Sequence, residues 1–289
     1  MIVESFAKLN LTLEVLGRRD DGYHNIATVF QMIDIADTLE FSRVKRRGIT
    51  VVCDRDDVPL GEENLIARAY RLFCEEREVS FGLYVKLEKR IPPGGGLGGA
   101  SSNAASTLLV LNALLGYPLN AGDLGRLACR IGADVLFFLK GGTVVAGGKG
   151  EVIEEFLPCP NVCFVVYTPH LSVSTAWAYR ELSLSALTKE ALYTKIMQLK
   201  LRSKVFEGQA LFNAFESVVF KKYPLLAQAK DFLLSAGAIG SLLSGTGASV
   251  YGVFKGEARA REVAKKFPFS GKVFVAKPVC RLDYIKLIR

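Results

Sequence analysis

Histidine occurs only twice, tryptophan once and methionine three times in the 289 residues. So few imidazoles argue against a histidine-built metal centre, and the cysteines do not replace them. The six thiols (Cys53, Cys74, Cys129, Cys159, Cys163 and Cys280) are scattered among apolar neighbours, with Cys159-x-x-x-Cys163 the only close pair. They read as reduced, buried thiols of a cytosolic protein. Half the residues are hydrophobic, yet no uncharged apolar run reaches the ~18 residues needed to span a bilayer. No charged segment followed by an apolar one opens the chain, so neither a membrane span nor a signal peptide is expected, and a cytoplasmic location is. Repeats and low-complexity stretches are absent. Asn and Gln are sparse beside plentiful charged residues, a composition suited to warm habitats.

What is present is size, positive charge and glycine. A chain of 289 residues can build two domains, each with a core. The net charge of +8 suits a handler of polyanions, whether nucleic acid, nucleotides or phosphates. The basic cluster Arg43, Lys45, Arg46 and Arg47 lies beside a turn at Gly48 with no aromatic residue interleaved. It reads as a solvated face, and no nucleic-acid partner is expected.

The chain is organised around residues 91–103, Ile-Pro-Pro-Gly-Gly-Gly-Leu-Gly-Gly-Ala-Ser-Ser-Asn. Beyond them Ala104, Leu108, Leu111 and Leu115 recur at helical spacing, with Gly116 and Pro118 marking the end. Ser101 or Ser102 is placed as N-cap. Glycines let backbone approach a ligand, and free N–H groups at a helix start attract anions, so the stretch reads as a polyphosphate cradle. It is not a Walker A loop, because no lysine follows the glycines. Gly94, Gly96 and Gly99 satisfy G-x-G-x-x-G formally, but Pro92-Pro93 interrupts the passage from strand to loop. The acidic residue wanted about 20 positions on would be Asp123, in a polar turn.

Along the chain, Leu9, Leu11, Leu13 and Val15 alternate with polar residues as in a half-buried strand, placing Lys8 and Asn10 together on the other face. A turn at residues 17–22 leads to Tyr23-His24, an apolar run at 29–35 and a separate short strand at 37–41. A helix is expected over 62–76, a strand over 83–87 running into the glycine loop, and a helix over 122–131. A hairpin surrounds residues 147–150, and Pro158 and Pro160 mark a domain boundary. The second half offers strands at 162–167, 250–254 and 272–276, with helices around 189–200, 213–220 and 225–235. Asp134, between Gly132-Ala133 and an apolar run, suits a helix N-cap and a general base equally well.

Three stretches together resemble the GHMP kinase superfamily: Ala7-Lys8-Leu9-Asn10-Leu11, the loop at 93–103, and Ser244-Gly245-Thr246-Gly247-Ala248. Within it, Asp21-Gly22-Tyr23-His24, Glu63-Asn64-Leu65, Gly132-Ala133-Asp134-Val135 and Ser172-Val173-Ser174-Thr175 resemble the members that act on a cytidine diphosphate-linked methylerythritol in non-mevalonate isoprenoid synthesis. Leu136 stands where such members often carry proline. The resemblance spans nearly the whole chain and implies an α+β protein of GHMP kinase fold. Residues 1–157 would form an ATP-binding domain like the second domain of ribosomal protein S5, and residues 158–289 a ferredoxin-like substrate-side domain.

It also implies ATP with Mg²⁺ and phosphorylation of the acceptor's 2-hydroxyl, with Asp134 as base and Lys8 as charge stabiliser. Nucleotide contacts would come from Asn64, Leu65, Pro93, Gly94, Gly95, Gly96, Leu97, Gly98, Gly99, Ala100, Ser101, Ser102 and Asn103. Tyr23 and Tyr179 would clamp the cytosine, and His24 would hydrogen-bond it. Asn10, Lys149, Thr175, Gly245 and Thr246 would complete the acceptor site, with Phe30 and Trp177 in core or rim. The alternatives are a homoserine- or mevalonate-type kinase, which would not need the aromatic clamp, and a non-enzymatic RNA-binding protein.

Overall fold

The computed structural model describes residues 1–182 and 211–281. In it the N-terminal alternation becomes β1, Ile2–Arg18, paired antiparallel with β2, His24–Val44. The two apolar runs expected as separate strands are therefore one. Its length is used: one edge takes β1, while the other takes β4 (Gly82–Glu88) along residues 38–44 and β5 (Thr143–Gly147) along 28–31. Asp37, where the second of the two runs opens, is a fully buried carboxylate that accepts from the N–H groups of Arg90 and Ile91 at 2.8 Å. β3 (Gly48–Cys53) flanks β4, β6 (Val152–Leu157) flanks β5, and the two-residue β8 (Phe212–Asn213) pairs with β1.

β1 is buried on both faces rather than half-buried. Ala7, Leu9 and Leu11 pack against the second sheet, while Ser5, Lys8 and Asn10 turn toward the helices and the site. Register shifts between Phe6 and Ala7 and between Asn10 and Thr12 adjust which residues face which side, as β-bulges do. Helices α1 (Leu65–Arg77), α2 (Gly99–Leu114), α3 (Ala121–Ile131) and α4 (Val135–Lys140) supply the core on that side. α2 is buried on nearly all faces, and its buried residues include Ser102, Asn103, Ser106, Thr107 and Asn112 beside the apolar ones. Its N-cap is Gly98, three residues ahead of Ser101 and four ahead of Ser102, the two caps expected, at φ +71° and with no side-chain cap.

The second sheet joins β7 (Cys163–Thr168), β9 (Gly240–Leu243), β10 (Val250–Phe254) and β11 (Lys272–Ala276) in the antiparallel order β11-β7-β10-β9. Numbered within this half, the order 4-1-3-2 is the ferredoxin-like arrangement. α5 (Thr175–Glu181), α6 (Glu216–Lys222), α7 (Pro224–Ser235) and α8 (Glu257–Lys265) accompany it. The helix expected over 213–220 opens instead with β8, and the one over 189–200 lies outside the described residues. The chain leaves the first sheet after Leu157, but Pro278 bridges Ile33 and the Val279 N–H donates to the Met32 carbonyl at 2.8 Å.

That return corrects the reading of the thiols. Cys159, in the connection between sheets, and Cys280, just after the returning segment, form a disulfide with Cα atoms 5.4 Å apart across 121 residues of sequence. Their spacing carried no sign of it, since the Cys159-x-x-x-Cys163 proximity is irrelevant to the pairing. The remaining four cysteines are free. Thiol titration of protein unfolded without reductant should count four, rising to six with reductant. Replacing both bridged residues by serine should lower unfolding stability by about 2–4 kcal/mol, as for other long closed loops.

Candidate active site

Strand β1 delivers Lys8 into the interior with 5% of its side chain exposed, and its Nζ lies 3.8 Å from a carboxylate oxygen of Asp134. The same Nζ donates to Asn10 Oδ1 at 2.5 Å, and Asn10 Nδ2 donates to Thr28 Oγ1 at 2.8 Å. The lysine is thus aimed by a polar chain anchored in the β1–β2 pair. Burial pushes its pKa down, and the Asp134 charge pulls it part of the way back. Asp134 occupies the position before α4, but its side chain makes no capping bond. The carboxylate faces Lys8 instead, backed by Gly150, where an added Cβ would lie 3.4 Å from its oxygen. Leu136, in place of the proline, continues α4 into the core.

The glycine loop runs between two cavities. One, of about 940 Å³, is lined by Lys8, Asn10, Tyr23, His24, Asp134, Lys149, Thr175, Tyr179, Gly245 and Thr246 among others. The second, of about 230 Å³, is lined by Pro93 and residues 94–101, with Asp57, Val58, Pro59 and Lys89. Gly96 and Gly98 line both, so the loop is their common wall. Gly94, Gly96 and Gly98 have φ of +67°, +72° and +71°. Gly98 has no room for a side chain, since a Cβ would meet Phe138 at 2.7 Å and Lys8 Cγ at 3.0 Å. With Gly98 as an uncapped N-cap, the first N–H groups of α2 are left for an anion.

Not every expected contact reaches the cavities. Ser102 and Asn103 are buried against Ser5 Oγ, which donates to Asn103 Oδ1 at 2.7 Å and lies 2.8 Å from the Ser102 hydroxyl, tying α2 to β1. Asn64 caps α1 through the Ile66 N–H at 2.9 Å and donates to the Pro59 carbonyl, and Leu65 packs on the core. Neither lines a cavity, although Pro59, which Asn64 holds, does. Lys89 is a residue the sequence reading missed. Its buried Nζ pairs with Asp37 at 2.6 Å, donates to the Ile91 carbonyl at 2.6 Å, and would lie 2.8 Å from a Cβ on Gly99. A lysine just past the end of the strand that runs into the glycine loop, five residues before Gly94, was the available signal.

At the far end of the larger cavity, Tyr23 is exposed and carries Lys149 Nζ 4.4 Å from its ring centroid. Tyr179 lines the same cavity, its ring stacked on His24 at 4.9 Å and 25° and meeting Phe215 edge-on. A base enters between His24 and Tyr179 only if those rings part, whereas Tyr23 and Tyr179, the expected clamp, both line the cavity. Burial, with the Arg18 charge, holds the His24 pKa below its usual value, so the imidazole is neutral at pH 7. Tyr179 is pushed up to about 12 by burial and by Asp134, and stays a phenol. Arg18 and Arg180 also line this end, giving it three cations with Lys149. Phe30 lines the cavity below Lys8, whereas Trp177 packs with Lys222 outside it.

Two family descriptions match the chain: "GHMP kinases N terminal domain" over residues 64–142 and "GHMP kinases C terminal" over residues 198–273. A 4-diphosphocytidyl-2-C-methyl-D-erythritol kinase of Pelotomaculum thermopropionicum is 39% identical over 90% of this chain and 91% of its own. A crystal structure of 4-(cytidine 5'-diphospho)-2C-methyl-D-erythritol kinase superposes with a TM-score of 0.82 at 34% identity, covering 96% of this chain and 99% of that one. A homoserine kinase from Cytophaga hutchinsonii shares the fold at a TM-score of 0.75 and 19% identity, covering 97% of this chain and 96% of its own. Likeness at 19% speaks for the fold alone, whereas 39% over 90% of the chain speaks for kinship. The chain belongs to the 4-diphosphocytidyl-2-C-methyl-D-erythritol kinase family of the GHMP kinases and is an ATP-dependent kinase.

Proposed function

We propose that the protein transfers the γ-phosphoryl group of ATP to the 2-hydroxyl of 4-diphosphocytidyl-2-C-methyl-D-erythritol, in non-mevalonate isoprenoid synthesis. The observation that carries this is the shared wall: Gly96 and Gly98 line both cavities, and the Lys8–Asp134 pair stands beside them on the larger side. ATP occupies the smaller cavity with its phosphates along the loop and the helix start, and the alcohol occupies the larger one. Residues 1–157 then carry the nucleotide, while residues 158–289 contribute Thr175, Tyr179, Gly245 and Thr246 to the acceptor side.

In the reaction the acceptor oxygen attacks the γ-phosphorus in line, the bond from that phosphorus to the β,γ-bridging oxygen breaks, and ADP leaves. Asp134 takes the hydroxyl proton. A carboxylate is a weak base toward an alcohol, but the proton departs late in a loose transition state, so placement outweighs basicity. Lys8 compensates charge on the transferring oxygens from a site of low dielectric, where it acts more strongly than in water. Mg²⁺ is the expected companion of ATP. Among the described residues no cluster of three or more His, Cys, Asp or Glu is arranged to hold a metal. Ser101 and Asp134, oxygens lining the cavities on the two sides of the loop, would hold an ion carried mainly on the nucleotide phosphates. When bound, the ion neutralises charge on the phosphate oxygens.

The cytosine stacks on Tyr23 and hydrogen-bonds the neutral His24, which Tyr179 backs, and the diphosphate lies near Lys149, Arg18 and Arg180. A homoserine- or mevalonate-type acceptor would leave those aromatic and cationic groups without a partner.

A coupled ADP-release assay comparing 4-diphosphocytidyl-2-C-methyl-D-erythritol with homoserine and mevalonate should give turnover on the first only; equal rates on either rival would refute the substrate assignment. Asp134→Asn should lose about 10²–10⁴-fold in kcat with ATP binding retained. Lys8→Met should lose about 10²–10³-fold with little loss of Tm, because its burial already opposes the charge. For Tyr23→Ala, base-stacking energy of about 1–3 kcal/mol predicts an acceptor KM raised roughly 5- to 150-fold at nearly constant kcat. Gly96→Ala should abolish turnover, since its Cβ would fall 2.1 Å from the Ser244 carbonyl oxygen; near-wild-type rates in that variant would contradict the tight seam.

A further inference from the structure

Asn213 is 3% exposed and touches neither cavity, yet every polar atom of its side chain is engaged. Its Nδ2 donates to the carbonyls of Leu243 and Gly245, both at 2.8 Å, and its Oδ1 accepts from the Phe215 N–H at 2.9 Å. Three residues later, at the start of α6, Glu216 accepts from the Leu243 N–H at 2.9 Å and pairs with Lys230 at 2.6 Å. Both backbone polar groups of Leu243 are thus held by side chains from the 213–216 segment. β9 ends at Leu243, so these bonds grip the backbone where it departs from β9 into the glycine turn.

What the turn does makes the grip consequential. Ser244 Oγ donates to the Gly96 carbonyl at 3.0 Å, and the N–H groups of Ala248 and Ser249 donate to the carbonyls of Gly94 and Gly95 at 3.3 and 3.1 Å. Gly245 and Thr246 form wall of the acceptor cavity, and Thr246 is hydrogen-bonded to Thr175 at 3.0 Å. From the other side, Asn213 stands in register with Leu13 on the strand that carries Lys8 and Asn10. A single residue therefore joins the strand that carries Lys8, through its backbone, to the turn that seats the glycine loop, through its side chain.

We infer that Asn213 and Glu216 are positioning residues for phosphoryl transfer: they fix the 243–247 turn against the glycine loop, setting the distance between the acceptor wall and the phosphate cradle. The inference rests on the kinase reading above. Asparagine suits the task because it offers two donors and an acceptor at once, whereas aspartate of the same shape offers only acceptors. Removing the donors leaves two buried carbonyls unpaired and frees the turn to move.

The test is steady-state kinetics and Tm of Asn213→Asp, Glu216→Gln and Ser244→Ala beside wild type, all assayed by ADP release on 4-diphosphocytidyl-2-C-methyl-D-erythritol. Asn213→Asp should raise acceptor KM and lower kcat, each about tenfold, in protein that still melts cooperatively. Glu216→Gln keeps an acceptor for the Leu243 N–H and should recover to within about threefold of wild type. Ser244→Ala cuts the bond from turn to loop without disturbing Asn213, and should lower kcat about threefold or more. It gives the answer should Asn213→Asp not fold. A fall in Tm with kcat and KM within twofold of wild type would overturn the inference, as would a fully active Ser244→Ala enzyme. Absent turnover in wild type would instead defeat the kinase reading, so the two failures are distinct.

Discussion

The contact on which the site depends is between two pieces of backbone. At Gly96 the glycine loop comes so close to the Ser244 carbonyl that no side chain fits, and hydrogen bonds at Gly94, Gly95 and Gly96 fasten it to the second glycine turn. Backbone at such short range has few ways to shift, so the loop's donors stay pointed where an anion would sit. The same crowding at Gly98 lets Lys8 pass under the loop. Glycine is required at both positions by positive φ as well as by space.

Charge follows the same plan. Two lysines are buried beside the loop, Lys8 near its middle and Lys89 at its start, and burial lowers the pKa of each. Each has a carboxylate to offset that cost, Asp134 for Lys8 and Asp37 for Lys89. The two pairs differ in access. Asp37 is fully buried and engaged with the backbone of Arg90 and Ile91, so its pair is an anchor for the loop. Asp134 keeps 29% of its side chain exposed, opens on the larger cavity and has no cap to serve, which leaves it free for chemistry. Two similar ion pairs thus differ in availability, because one carboxylate is satisfied by the protein and the other is not.

Much of this was legible before any coordinates. The glycine run, the alternation that puts Lys8 with Asn10, the helix at 121–131 and the apolar strand at 163–168 are local patterns, and local patterns survive folding. Other readings failed where the answer lay in remote contacts. The burial of both faces of β1 came from a second sheet, the fusion of two runs into β2 from three different partners, and the Cys159–Cys280 bridge from a chain that returns after 121 residues. Ser102 and Asn103 looked like phosphate ligands because they follow the glycines; helix rotation turns them onto Ser5 instead.

The sequence alone determined which residue types stand where chemistry needs them: glycines able to take positive φ, a lysine and an asparagine at period-two spacing, a carboxylate ahead of an apolar helix. Only the tertiary structure decided their company. It set Asp134 toward Lys8 rather than to its own helix, laid Tyr179 on His24, and brought the turn held by Asn213 onto Gly96. The reason is that backbone conformation is governed by neighbours in the chain, while the partner of a side chain is chosen by packing between segments hundreds of residues apart.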